Sequence, residues 1–312
     1  MSIIEKAINK LEKAASHKKA DKAIPNNKHK KADAVTPESK FPPVVDTKST
    51  LIPEAEQEQF RRDIKRNHIA DSTSAESRNY VDIDLNRLKE LGIVTPNQGK
   101  TQIAEQFRII KRPLLTKAFT KKNKNLLMIT SALAGEGKSF CAVNLALSIA
   151  SEMDHRVLLI DADVGRPSIP NILGVQNNKG LMDILIEDSV DVADVLIKTS
   201  IEKLSLITVG SGHVHATELL ASQAMLMLLD ELAQRYNDRI VIFDSPPVLL
   251  TSEARVLAEQ MGQIVLVVEA EQTTQQTLRH VIDQFGKNKD ISLIYNKDKT
   301  FSGKEYYGYY YS

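Results

Sequence analysis

The chain has 312 residues, with 41 lysines and arginines against 40 aspartates and glutamates, a balance that gives no global reason to expect nucleic-acid binding. Its 42% of hydrophobic residues supports a real core and excludes a collagen-like or fully disordered chain, and at about 150 residues per domain the length allows one large domain with an appendage. One cysteine, Cys141, excludes an internal disulfide; the N-terminus does not read as a secretory signal, and no apolar run approaches the roughly 20 residues of a membrane-spanning helix.

Ser2 followed by Glu5 forms a capping box, and Ile3, Ile4, Ala7, Ile8, Leu11 and Ala15 then recur on one helical face, which predicts an amphipathic helix over 1–16. It is read as docking on a partner, with packing on its own domain as the alternative. Residues 17–79 are rich in Lys, Asp, Pro, Ser and Gln and cannot bury enough apolar surface to fold alone, so they are expected to be a disordered linker. Order returns near Tyr80, where Ile83, Leu85, Leu88 and Leu91 suggest a short helix stopped by Gly92. A second helix is expected over about 101–119, kinked at Pro113.

From there, short apolar runs alternate with helical segments: Leu126–Thr130, Arg156–Ile160, Leu204–Val209, Arg239–Phe243, Ile264–Val268 and Ile291–Tyr295. Strands separated by helices pair in parallel through right-handed crossovers, so the predicted fold is a doubly wound, mainly parallel α/β sheet in three layers over 80–296. Residues 297–312 are left as a flexible tail.

Directly after the first strand stands Ser131-Ala132-Leu133-Ala134-Gly135-Glu136-Gly137-Lys138-Ser139, opening a helix at Phe140. Small residues let backbone N–H groups close around phosphates, the lysine reaches phosphate oxygens and the serine hydroxyl ligates Mg²⁺, so Ala134 to Phe140 are the candidate nucleotide-binding residues. The motif departs from its usual form in having Ala132 where a glycine is expected. The second strand ends in Asp161-Ala162-Asp163, whose carboxylates can bind Mg²⁺ or accept a proton, and the fourth in Asp244, placed to hold the Mg²⁺ water shell. Together with Lys138 these acids form a candidate phosphoryl-transfer site. Asn296 ends the last strand, where its amide can read an adenine edge, so ATP with Mg²⁺ is the expected cofactor.

Five of the eight tyrosines, Tyr306, Tyr307, Tyr309, Tyr310 and Tyr311, crowd the last seven residues, a segment suited to phosphorylation and unsuited to a core. Glu105, Arg108 and Lys111 on the helix before the first strand read equally as a salt-bridged face or as an interface. His213 and His215 read as a polar loop rather than a metal site, and Cys141 as a small buried residue.

The P-loop, both acid motifs, the Glu-x2-Arg-x2-Lys helix and the tyrosine tail together resemble the bacterial tyrosine kinases of the capsular and exopolysaccharide type. Met1–Ala7, Ile83–Leu88 and Phe107–Leu115 resemble more narrowly the exosortase-associated autokinases. The resemblance implies that Lys138 and Ser139 hold phosphates and Mg²⁺, that Asp161, Asp163 and Asp244 serve metal and catalysis, and that the tail is phosphorylated in trans. It further implies a ring-shaped homo-oligomer formed through Glu105, Arg108 and Lys111, a membrane chain-length-determinant or activator protein as partner, and a cytoplasmic place at the inner membrane. Lys111 for arginine, the arginine after the second acid displaced to Arg166, and the segment Ser211–Ala216 depart from the family pattern. A partition ATPase of the Min/Par kind, or a nucleotide-gated adaptor, is the alternative; the partition ATPases carry a signature lysine where this chain has Leu133.

Overall fold

The computed structural model describes residues 79–96, 101–234, 238–286 and 289–299. The predicted N-terminal helix, nearly all of the linker and the five tail tyrosines lie outside the described residues.

The chain enters with strand β1 (Tyr80–Val81), then helices α1 (Leu85–Glu90) and α2 (Gln102–Ala118). Asp84 caps α1 by accepting from the N–H groups of Asn86 and Arg87, and Gly92, at φ 71°, turns the chain away after it. Thr101 caps α2 through the N–H of Ala104, and the helix runs through Pro113 as one element. Six strands and their helices follow where the alternating pattern puts them: β2 (Leu126–Ser131), α3 (Lys138–Ala150), β3 (Arg156–Asp161), α4 (Ile169–Leu173), α5 (Leu181–Ile186), α6 (Val192–Val195), β5 (Leu204–Ile207), α7 (Ala216–Leu220), α8 (Gln223–Gln234), β6 (Arg239–Asp244), α9 (Ser252–Gln260), β7 (Gln263–Glu269), α10 (Gln275–Gln284) and β8 (Ile291–Asn296). A further strand, β4 (Ile197–Thr199), escapes the sequence pattern, as β1 does, because two or three residues are too few to show a period.

All eight strands form one sheet in the order β1-β4-β5-β3-β6-β2-β7-β8. Every neighbouring pair is parallel except β4 with β5, which a connection of only four residues forces into antiparallel pairing. Alternation then assigns the faces. Leu127, Ile129, Leu159, Ile242 and Val265 pack with Leu88, Phe107 and Leu145 of α1, α2 and α3, while Met128, Ile160, Phe243 and Leu266 pack with Met182, Leu229 and Leu257 of α5, α8 and α9. The result is the expected three-layer, mainly parallel α/β architecture, its central strands buried on both faces. Because β2, β3, β6, β7 and β8 run in one direction, their carboxyl ends meet at one edge of the sheet, and the residues that end them share one site.

Candidate active site

β3, β6 and β2 are adjacent, with Asp161 opposite Asp244 and Asp244 opposite Ile129 in the sheet register. The turn after β6 is stitched onto β2 and the loop that follows it. Ser245 N–H donates to the Ile129 carbonyl at 3.0 Å, Val248 N–H to the Ser131 carbonyl at 2.9 Å, and the Thr130 hydroxyl to the Pro246 carbonyl at 2.8 Å. The loop itself requires its glycines: Gly135 and Gly137 sit at φ 88° and 97°, a region that costs residues with a Cβ. α3 starts at Lys138 with no side chain capping its N–H groups, so these donors stay open at the end of the candidate phosphate loop.

Within this cradle Lys138 Nζ stands 2.8 Å from Asp163 Oδ2 and 3.5 Å from Asp244 Oδ1. Burial opposes its charge, but Asp244, Asp163 and Asp161 outweigh burial and hold its pKa above the ordinary value. Its side chain is only 12% exposed, at the mouth of the cradle between the acids. The two acids of the second motif part company. Asp161 accepts from the backbone N–H groups of Asp163, Ser168 and Ile169 at 3.0 to 3.2 Å, so both of its oxygens brace the loop after β3 instead of standing bare to a metal. Burial and then Asp244 push its pKa up to about 7 against those bonds. Asp163 accepts from the Arg166 N–H through one oxygen and faces Lys138 with the other.

Asp244 is fully buried; Lys138 Nζ stands 3.5 Å from its Oδ1 and the Ser139 hydroxyl lies beside it, but neither contact reaches full hydrogen-bonding geometry. Burial drives its pKa up, with Lys138 the chief opposing influence. The Ser139 hydroxyl, beside it, accepts from the Ser168 hydroxyl at 2.6 Å. A buried carboxylate with incomplete hydrogen bonding next to a serine hydroxyl at a phosphate loop suits a hexacoordinate Mg²⁺ that keeps part of its water shell, so Ser139 and Asp244 fit that ion better than Asp161, whose oxygens are taken by backbone N–H groups.

Glu136 turns away from the cradle. It is 3% exposed, with Oε2 accepting from the Leu133 N–H at 2.7 Å and Oε1 from the Thr273 hydroxyl. Asn296 also differs from the expected base reader, since its Nδ2 donates to the Glu136 carbonyl at 2.8 Å and lies where a Cβ on Gly137 would fall. Lys297, which sequence reasoning passed over, donates to the Gly135 carbonyl at 2.8 Å and to Glu269 Oε2 at 2.9 Å. The only sequence signal for it was adjacency to Asn296. Leu133 is 43% exposed and presents no cation at the partition-ATPase position. Cys141, on α3, is buried, and burial followed by Asp244 pushes its thiol up to about 12, which agrees with an inert core residue. His213 and His215 lie exposed in a loop with ring centroids 5.7 Å apart.

The predicted interface triad separates. Glu105 and Arg108 pair at 2.8 Å on an exposed face, whereas Lys111 is 5% exposed and donates to the Ser148 carbonyl at 2.6 Å while pairing with Glu152. Lys111 is thereby withdrawn from any surface contact. Each step of three residues turns back by about 60° around a helix of 3.6 residues per turn, so the third member of the series faces the core. Lys111→Met is expected to lower stability by about 1–3 kcal/mol, because a charged hydrogen bond is lost and a buried carbonyl is left bare. Arg108→Ala, by contrast, removes an exposed pair and should stay within about 0.5 kcal/mol. Urea unfolding followed by circular dichroism distinguishes them; equal losses would show that Lys111 contributes no more than a surface pair.

With this geometry in place, residues 122–289 match the ParA family model described as NUBPL iron-transfer P-loop NTPase. The chain is similar to tyrosine-protein kinase YwqD of Bacillus subtilis, 32% identical over 70% of this chain and 90% of that protein. It is also similar to tyrosine-protein kinase wzc of Salmonella typhi, 30% identical over 62% of this chain but only 27% of that longer protein. Among solved structures it is similar to the kinase domain of the Escherichia coli tyrosine kinase ETK, at 26% identity and a TM-score of 0.56, over 68% of this chain and 94% of that one. Among the described residues, no helix is long and apolar enough to cross a membrane.

Proposed function

Because the chain belongs to the bacterial tyrosine kinases, a branch of the ParA-type P-loop NTPases, we propose that it transfers the γ-phosphoryl group of ATP to Tyr306, Tyr307, Tyr309, Tyr310 and Tyr311 of a neighbouring copy. Its activity is that of a protein-tyrosine kinase, and its proposed role is the regulation of exopolysaccharide biosynthesis and export. The observation that carries the reading is the convergence of Lys138, Asp163 and Asp244 beside an open helix N-terminus, at the one sheet edge where phosphate can be held. Bound ATP and Mg²⁺ supply the transferable phosphoryl group and neutralise its developing charge.

The chain's own residues then divide the work. The N–H groups of Gly135 to Ser139 cradle the phosphates, and Lys138 exchanges its contact with Asp163 for one with phosphate oxygen. Asp163, released from the lysine, is the carboxylate free to take the phenolic proton of the incoming tyrosine, while Asp161 keeps the loop in place. Glu105 and Arg108 are retained as oligomer contacts. A membrane-bound activator or chain-length-determinant protein is the proposed partner, holding the kinase at the cytoplasmic face of the membrane.

Purified protein incubated with ATP and Mg²⁺ is expected to gain phosphotyrosine, detected by blotting and mapped by mass spectrometry to the last seven residues. A variant with those five tyrosines changed to Phe should incorporate less than about a tenth as much label. Undiminished labelling elsewhere in the chain would remove the tail from the reading.

A further inference from the structure

Two residues with side chains occupy the left-handed backbone region on the nucleotide edge: Lys297 at φ 60° and Glu271 at φ 63°. Such positions are strained for residues that carry a Cβ and persist where the surroundings enforce them. Lys297 is enforced by its own ammonium, which bridges the Gly135 carbonyl at 2.8 Å and Glu269 Oε2 at 2.9 Å. Neighbouring bonds lead to the same stretch of loop. The Glu269 N–H donates to the Thr273 hydroxyl at 3.0 Å, Thr273 donates to the Glu136 carboxylate, and Asn296 holds the Glu136 carbonyl. Residues at the ends of β7 and β8 thus hold two consecutive phosphate-loop residues, Gly135 and Glu136, through their carbonyls and the Glu136 carboxylate.

We infer that Lys297 is a positioning residue for the nucleotide, a clamp that fixes the Gly135–Glu136 backbone so that its N–H groups stay aimed at the phosphates; this rests on the reading of the loop as an ATP site. Without the clamp the loop must be ordered by each nucleotide that binds, which weakens binding and leaves the transfer step alone once ATP is in place. The choice of lysine at a backbone position that favours glycine follows from the same geometry. Glycine would relieve the strain and lose the bridge.

That trade supplies the test. In the full chain, Lys297→Gly should keep or raise the melting temperature yet bind a fluorescent ATP analogue about tenfold more weakly, with kcat for autophosphorylation at saturating ATP within about threefold of the wild type. Lys297→Arg, able to bridge both acceptors, should recover most of the affinity, and Glu269→Gln should fall between. If Lys297→Gly binds the analogue as the wild type does, or loses affinity only in step with a fall in melting temperature, the clamp is overturned. A wild-type protein that binds no analogue would overturn the nucleotide reading itself.

Discussion

Lys138→Met should lower autophosphorylation by at least about a hundredfold, because removing one preorganised donor from a transferring centre typically costs 10²–10³ in rate. Retention of more than about a tenth of the activity, a barrier change below roughly 1.4 kcal/mol, would exclude the role assigned to it. The same substitution has a second, pH-dependent effect. Lys138 is the chief influence holding down the pKa of the buried Asp244, so its loss lets that pKa climb further above the unfolded value. A carboxyl group whose folded pKa is raised leaves stability intact below its unfolded pKa and removes it as pH rises toward the folded one. The melting-temperature deficit of Lys138→Met is therefore expected to be larger at pH 8 than at pH 5. A deficit independent of pH would show that the ion pair does not set the state of Asp244.

Asp244 and Asp161, opposite each other in the register, should respond to substitution in opposite directions. Asp244→Asn removes a desolvated charge whose nearest cation, Lys138, stands 3.5 Å away and keeps Asp163 as its closer partner, so it is expected to raise the melting temperature at pH 8 while autophosphorylation falls by about a hundredfold or more. Asp161→Ala removes the acceptor for three backbone N–H groups and should cost about 1–3 kcal/mol of stability. Differential scanning fluorimetry beside a phosphotyrosine assay reads both. If Asp244→Asn destabilises as much as Asp161→Ala, the two acids share a structural role and the division between brace and metal ligand fails.

Much of this site was legible in the sequence, because its signals are local. The phosphate loop is one contiguous string, and each strand that ends in an acid also carries the apolar run that defines the strand. The brace made by Asp161 is local as well, since its partners lie two to eight residues downstream, and an Asp accepting from the N–H two residues on is a familiar turn. What escaped depends on distant pairs. Asn296 meets Glu136 across 160 residues and Lys297 meets Gly135 across 162, so no spacing rule connects them. Lys111 failed for another reason: three charged residues at intervals of three look like one stripe in a string but drift around the helix in space.

Cys141 gives the protein an intrinsic clock. Its thiol is the one cysteine of the chain, lies within the first turn of α3, and is sealed from solvent with its ionisation suppressed. An alkylating reagent reaches it when that turn opens, so labelling of the native protein reports the opening of the phosphate-loop helix without an engineered probe: the open population while reclosing outpaces alkylation, and the opening rate itself at high reagent concentration.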